Sequence, residues 1–123
     1  MKLTNTQIYN SAQRLMNTFT DSSIRLPARI NFYIQKNKKT IISLGEEIDK
    51  ARTEILYHYG TPNEEGIINI PSDRIEEAQR ELNDLFEIEQ EVNILKFSIE
   101  KFTDDISLSM EQMEAIMFMI EEA

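Results

Sequence analysis

Apolar positions recur at helical spacing along most of the chain. Ile8, Ala12, Leu15, Met16 and Phe19 follow one another at helical steps, which predicts an amphipathic helix over residues 5–19. Thr4-Asn5-Thr6-Gln7 in front of it fits a capping box, with Thr4 as N-cap and Gln7 at the third helical position. The second apolar series is longer: Ile30, Ile34, Asn37, Ile41, Leu44, Ile48, Ala51, Ile55 and His58 alternate steps of four and three. This predicts a helix over 27–59, with Pro27 at its first position and Gly60-Thr61-Pro62 as its stop. The same spacing marks a left-handed helix-helix seam. An unbroken helix of this length would measure about 50 Å. A compact domain of this size is only about 35 Å across. Gly45 in its middle costs about 1 kcal/mol of helix stability. The expectation is therefore that the helix either breaks at Gly45 or projects and pairs with a second copy through Ile30, Ile34, Asn37, Ile41, Leu44, Ile48 and Ile55. A polar residue in such a seam fixes register or oligomer number at a cost in stability. On that reading Asn37→Leu raises thermal stability and loosens the oligomer.

The second half is less regular. Ile67-Ile68-Asn69-Ile70 reads as a strand over 67–70, stopped by Pro71. Ser72 or Asp73 then caps a helix over 73–89, with Ile75, Ala78, Leu82, Leu85 and Phe86 on one face. Residues 92–99 are rich in strand formers, and their alternation changes phase at Leu95, as at a bulge. Ser109-Met110-Glu111-Gln112 is a second capping box. It opens a helix over 109–121 with Met113, Ile116, Met117 and Ile120 inward, and Met110 and Met119 outward. The expected fold is mainly α (α+β): one domain over 1–123, with a long helical hairpin, two further helices and a small two-stranded β element.

Composition narrows the chemistry. With 123 residues, 41% of them apolar, the chain is long enough to bury a core. It has no cysteine and one histidine, His58. A disulfide framework, a thiolate zinc site and a cysteine nucleophile are excluded, and neither a catalytic metal nor hydrolytic turnover is expected. No apolar run approaches membrane-spanning length, and no signal-peptide stretch follows Met1, which predicts a cytosolic protein. The net charge of −9 is unevenly placed. Residues 1–62 carry nine basic and five acidic side chains; residues 63–123 carry four and seventeen. Arg25, Arg29, Lys36, Lys38 and Lys39 occur with no acid between Ser22 and Gly45.

Arg29, Phe32, Lys36 and Lys39 fall on one stripe of the long helix, with Tyr33 beside it and Arg25 just ahead. Arginines near a helix N-terminus can hold a phosphate or carboxylate, and a ring alongside can stack on a base. The competing reading is an exposed amphipathic face that pairs with the acidic half of the chain. His58 lacks a serine or aspartate at triad spacing and reads as structural. Glu77, Glu81 and Asp84 share a helical face, but no EF-hand or E-x-x-H pattern accompanies them. They read as a solvated acidic face or as a mimic of a phosphate backbone. No glycine-rich phosphate loop, nucleophile elbow or zinc-protease motif occurs, and no cofactor is expected.

Leu26-Pro27-Ala28-Arg29-Ile30-Asn31-Phe32-Tyr33-Ile34-Gln35-Lys36-Asn37, the start Met1-Lys2-Leu3-Thr4-Asn5, Glu91-Val92-Asn93-Ile94 and the final Met119-Ile120-Glu121-Glu122 together resemble a family of small accessory proteins from tailed phages and prophages of Gram-positive bacteria. The resemblance implies a phage origin and a place in the host cytoplasm, and carries over no catalytic residue. The expected function is that of a non-enzymatic counter-defence protein. It would sequester a host immune component, such as an anionic signalling nucleotide held by Arg25, Arg29, Phe32, Tyr33, Lys36 and Lys39. The alternatives are an acidic inhibitor that binds a CRISPR or nuclease effector protein, and a structural or assembly protein of the virion. Long nucleic acid and membranes are not expected as partners.

Overall fold

The computed structural model describes residues 1–19, 26–98 and 108–121. The described elements are strand β1 (Lys2–Thr4), helix α1 (Asn5–Thr18), helix α2 (Ala28–Tyr59), strands β2 (Thr61–Pro62) and β3 (Ile68–Asn69), helix α3 (Ile75–Glu87), strand β4 (Glu89–Glu91) and helix α4 (Met110–Ile116). A 3₁₀ turn, Met117–Met119, follows α4. The protein is mainly α, with a small β component.

Both capping boxes form. The Thr4 hydroxyl accepts from the Gln7 amide and the Gln7 side chain accepts from Thr4 N–H; Ser109 and Gln112 repeat the arrangement at α4. Pro27 stands just outside α2, where its carbonyl accepts from the Asn31 amide. It is thus one position earlier than the expected first helical residue.

The helix α2 continues through Gly45. At this residue α1 crosses so closely that an added Cβ would lie 2.8 Å from the Ala12 Cβ. Close approach explains the glycine, and the lost propensity does not break the helix. The buried residues of α2 are Ile30, Ile34, Asn37, Ile41, Gly45, Ile48 and Tyr59. This set follows the 3.6-residue period of a straight helix, not the 3.5-residue period of a supercoiled seam. The buried stripe therefore drifts around α2. Leu44 and Ile55 fall at its edge, half-buried, and His58 is exposed while Tyr59 turns inward.

The apolar stripe of α2 is covered from within the chain. Ile8, Ala12 and Leu15 of α1 join Ile30, Ile34, Ile41 and Ile48 in one core with Val92, Phe97, Ile116 and Met119. The face expected to bind a second copy is therefore filled by the chain's own elements, and it gives no support for an oligomer seam.

Two asparagines pin the irregular chain after α3. Asn37, only 1% exposed, donates from Nδ2 to the Leu95 carbonyl (2.8 Å) and accepts the Leu95 amide at Oδ1 (2.8 Å). Asn5, 3% exposed, donates to the Leu85 carbonyl and accepts from Gln90 Nε2. Residues 92–98 form no strand: Leu95 pairs with a side chain, and Phe97 makes one isolated parallel bridge to Ile120. Ile99, the end of the expected strand, lies outside the described residues. The strand in this region is instead β4, antiparallel to β1 with Leu3 opposite Gln90. The expected strand over 67–70 is present as β3, paired with β2 in a hairpin. Asn63 Oδ1 accepts both the Glu65 and Ile67 amides at the turn, and Gly66 adopts φ +82°. The two-stranded element thus becomes two separate ribbons.

Two other boundaries move. The helix α3 starts at Ile75, with Arg74 at the N-cap and no side-chain cap from Ser72 or Asp73. The expectation for Met117 and Met119 is reversed: Met117 is 63% exposed and Met119 is fully buried. The chain tightens to 3₁₀ after Ile116, and side chains three apart then eclipse. Ile116 and Met119 share the inner face for that reason.

The Asn37 clamp reverses the expectation from the sequence. Asn37→Leu leaves the Leu95 N–H and C=O unpaired in the interior and should destabilise the fold by about 2–4 kcal/mol in a urea titration. At the α1–α2 crossing, Gly45→Ala should cost about 1–2 kcal/mol because overpacking outweighs the gain in propensity. Adding Ala12→Gly should return stability to within about 0.5 kcal/mol of the parent, since the swap conserves both volume and glycine count.

Candidate functional site

The N-terminal turns of α2 meet residues 96–98 at a cleft of about 180 Å³. Arg29, Ile30 and Tyr33 line one wall, and Lys96, Phe97, Ser98 and Glu121 the other. Ile30 and Phe97 are buried and close its floor. The second wall is held by backbone bonds: Phe97 N donates to the Met119 carbonyl (3.0 Å), and Glu121 N donates to the Phe97 carbonyl (2.8 Å). The clamp from Asn37 to Leu95 sets the residue next to Lys96.

The cleft carries two guanidinium or ammonium groups, Arg29 and Lys96, against one carboxylate, Glu121. Arg29 and Lys96 are exposed, so their hydration need not be surrendered before a ligand arrives. The start of α2 has no side-chain cap and no acid in its first turn. The positive end of its dipole therefore adds to the same field.

The expected stripe divides. Arg29 and Tyr33 are brought together at the cleft. Phe32, 59% exposed, lies beside Tyr33 with ring centroids 6.3 Å apart, and Lys36 Nζ stands 5.8 Å from the Phe32 ring centroid. Lys39 lines a different depression with Lys38, Ile42 and Glu46, outside the cleft. Arg25 lies outside the described residues. Lys38 Nζ donates to the Phe19 carbonyl (2.6 Å) and ties α2 to the end of α1. Lys96 is the residue that sequence reasoning misses. It sits in a run of strand formers and 67 positions from Arg29, and no local spacing signals that it joins the cleft.

The acidic half is organised around Tyr59. Its ring is buried, with the Arg74 guanidinium carbon 4.8 Å from the ring centroid and the edge of the exposed His58 ring at 4.9 Å. Burial first, then the Glu81 and Glu77 carboxylates, hold the Tyr59 hydroxyl above its ordinary value near 10, while Arg74 opposes them. Glu77, Glu81 and Asp84 are all exposed on α3. Other carboxylates are paired at the surface: Glu76 with Arg80, Glu89 with Lys2, and Glu91 with the N-terminal ammonium. Among the described residues no group of three His, Asp or Glu is placed to hold a metal ion. No helix among them is long and apolar enough to cross a membrane. No family model matches the chain, and no curated protein or solved structure is significantly similar to it.

The raised Tyr59 proton affinity fixes the sign of an alkaline effect. The folded chain keeps this proton to higher pH than the unfolded chain does. The resulting stability is complete below pH ~10 and is lost as pH rises through the folded value. Thermal melts between pH ~8 and ~11.5 should show a steeper alkaline fall for the parent than for Tyr59→Phe. Equal slopes would remove Tyr59 from the alkaline transition.

Proposed function

We propose that this protein is a non-enzymatic binding protein that sequesters an anionic small molecule in the cleft between α2 and residues 96–98. The convergence of Arg29, Tyr33 and Lys96 beside an uncapped helix start carries this reading. Arg29 and Lys96 offer charge-assisted hydrogen bonds to a phosphate, and Tyr33 and Phe32 offer ring faces to a base. Glu121 would accept from a ribose hydroxyl of such a ligand. In biological terms we read the protein as a phage counter-defence factor acting in the host cytoplasm, where it titrates a signalling nucleotide of the host's immune response. The phage assignment rests on the sequence resemblance alone.

The test is calorimetric titration with a panel of cyclic mono- and dinucleotides. A binding nucleotide should lose about 100-fold in affinity with Arg29→Glu and about tenfold with Lys96→Ala, while far-ultraviolet circular dichroism stays the same. Glu77→Lys combined with Asp84→Lys should change it less than about twofold, because exposed charges beyond a Debye length of ~8 Å are screened. Glu81 is unsuitable as a control because its carboxylate raises the proton affinity of the Tyr59 hydroxyl. Failure of every nucleotide to bind would overturn the reading. An acidic double variant that loses counter-defence activity while Arg29→Glu keeps it would replace the reading with an inhibitor that docks its carboxylates on an effector protein.

A further inference from the structure

The surface where α1 lies along α2 carries a second feature, separate from the cleft. Two shallow depressions of about 370 and 260 Å³ share Ile42 and Glu46 and so form one continuous groove. It runs from Gln35 to Asp49, about 21 Å along the helix. Its floor is apolar, from Ala12, Met16 and Ile42, and Met16 is 45% exposed. Its two ends differ in charge: Lys39 lies at one, and Glu46 and Asp49 at the other. Asp49 is occupied by the Tyr9 hydroxyl and by Arg52. Among the described residues neither Lys39 nor Glu46 has an ion-pair partner.

Of the α2 residues along this groove, Gln35, Lys39, Ile42, Glu46 and Asp49 follow alternating steps of four and three. That is the spacing of a helix-helix seam, on a flank where Ile42 also packs against the core. Charge is also complementary about the point midway between Ile42 and Ser43, from which Lys39 and Glu46 are equidistant. A two-fold axis between Ile42 and Ser43 lays a second α2 antiparallel in the groove and sets Lys39 of each copy opposite Glu46 of the other. An isologous contact requires this self-complementarity, in which each residue meets a partner and the partner meets its equivalent. A lone anion or cation fits poorly, because the groove presents both signs.

We infer that the Gln35–Asp49 groove is the surface through which the protein dimerises with a second copy of itself, antiparallel about an axis between Ile42 and Ser43. The dimer keeps both anion clefts open, since Arg29 and Tyr33 stand on another flank of α2. It is independent of what the cleft binds.

The experiment is sedimentation velocity from ~1 to ~200 µM on the full chain, with single charge reversals and their mixture. The parent should pass from 14.4 kDa to twice that mass as concentration rises. Lys39→Glu and Glu46→Lys should each weaken the dimer about tenfold or more, since each reversal makes two like-charge contacts across the axis. An equimolar mixture of the two variants should dimerise again, because each reversed charge then meets an opposite one. Circular dichroism shows that both variants fold. If either does not, Lys39→Gln and Glu46→Gln with a salt series replace them, and the salt dependence of the parent should be lost. A parent that stays monomeric to ~200 µM, or reversals that leave the dimer intact, would overturn the proposal. So would a mixture that remains monomeric.

Discussion

Asn37 makes two hydrogen bonds from one buried side chain, and the course of residues 92–98 depends on them. This segment has no ladder of its own, so the peptide at Leu95 would enter the interior with its N–H and C=O unpaired. An asparagine amide has the donor and acceptor of a peptide in the same spatial order, and it substitutes for the missing strand. With Leu95 fixed, Phe97 reaches the core and Lys96 is left at the surface beside Arg29. The same two hydrogen bonds therefore close the core and bring together the two cationic walls of the cleft. Asn5 serves the turn after α3 in a similar way, through Leu85 and Gln90. Among the described residues no buried side-chain polar atom lacks a partner.

What the sequence reveals and what it hides divide by distance along the chain. Thr4 with Gln7, and Ser109 with Gln112, are three residues apart, and their capping geometry follows from local spacing alone. The extent of α2 follows in the same way from Pro27, the apolar period and Gly60. Periodicity states that a face is buried but not by what, so a stripe covered by α1 and residues 92–97 reads just as well as a seam for a second copy. Gly45 is ambiguous for the same reason: only the crossing of Ala12 distinguishes a helix breaker from a close contact. The strand formers of 92–98 carry a real local preference, and tertiary context overrides it: among the described residues Phe97 makes one isolated bridge, to Ile120. Polar β4 pairs with the first residues of the chain, nearly ninety positions away, and no apolar alternation marks it. Met117 and Met119 exchange places because a change of helical pitch within one turn is invisible to a fixed period.

The cleft was legible only by halves. Arg29 and Tyr33 are four apart on one helix and must be neighbours. Phe32, Lys36 and Lys39 are on the same stripe by spacing, but the stripe is wider than one site, and its lower half turns toward the groove beside α1. Lys96 enters through the Asn37 clamp, a contact between residues 58 positions apart. An asparagine in an otherwise apolar series is the one signal that points to it. It marks a buried polar partner, here a backbone segment, and not a register device between chains.

The charge asymmetry of the chain acquires a direction once α2 is seen to be unbroken from Ala28 to Tyr59. Tyr59, with Glu81 and Glu77 around it, stands about 45 Å along the helix from Arg29. That is several Debye lengths at physiological salt, so the carboxylates of α3 neither fill the cleft nor weaken its local field. Glu121 is the acid that matters there, and it is outnumbered by Arg29 and Lys96. A ligand short enough to sit between those two cations meets a positive environment. A polyanion several turns long would have to follow α2 toward Glu46, Glu47 and Glu54, where no continuous basic track exists. The length of one helix thus places the basic cluster at one end and the carboxylates around Tyr59 beyond screening distance at the other.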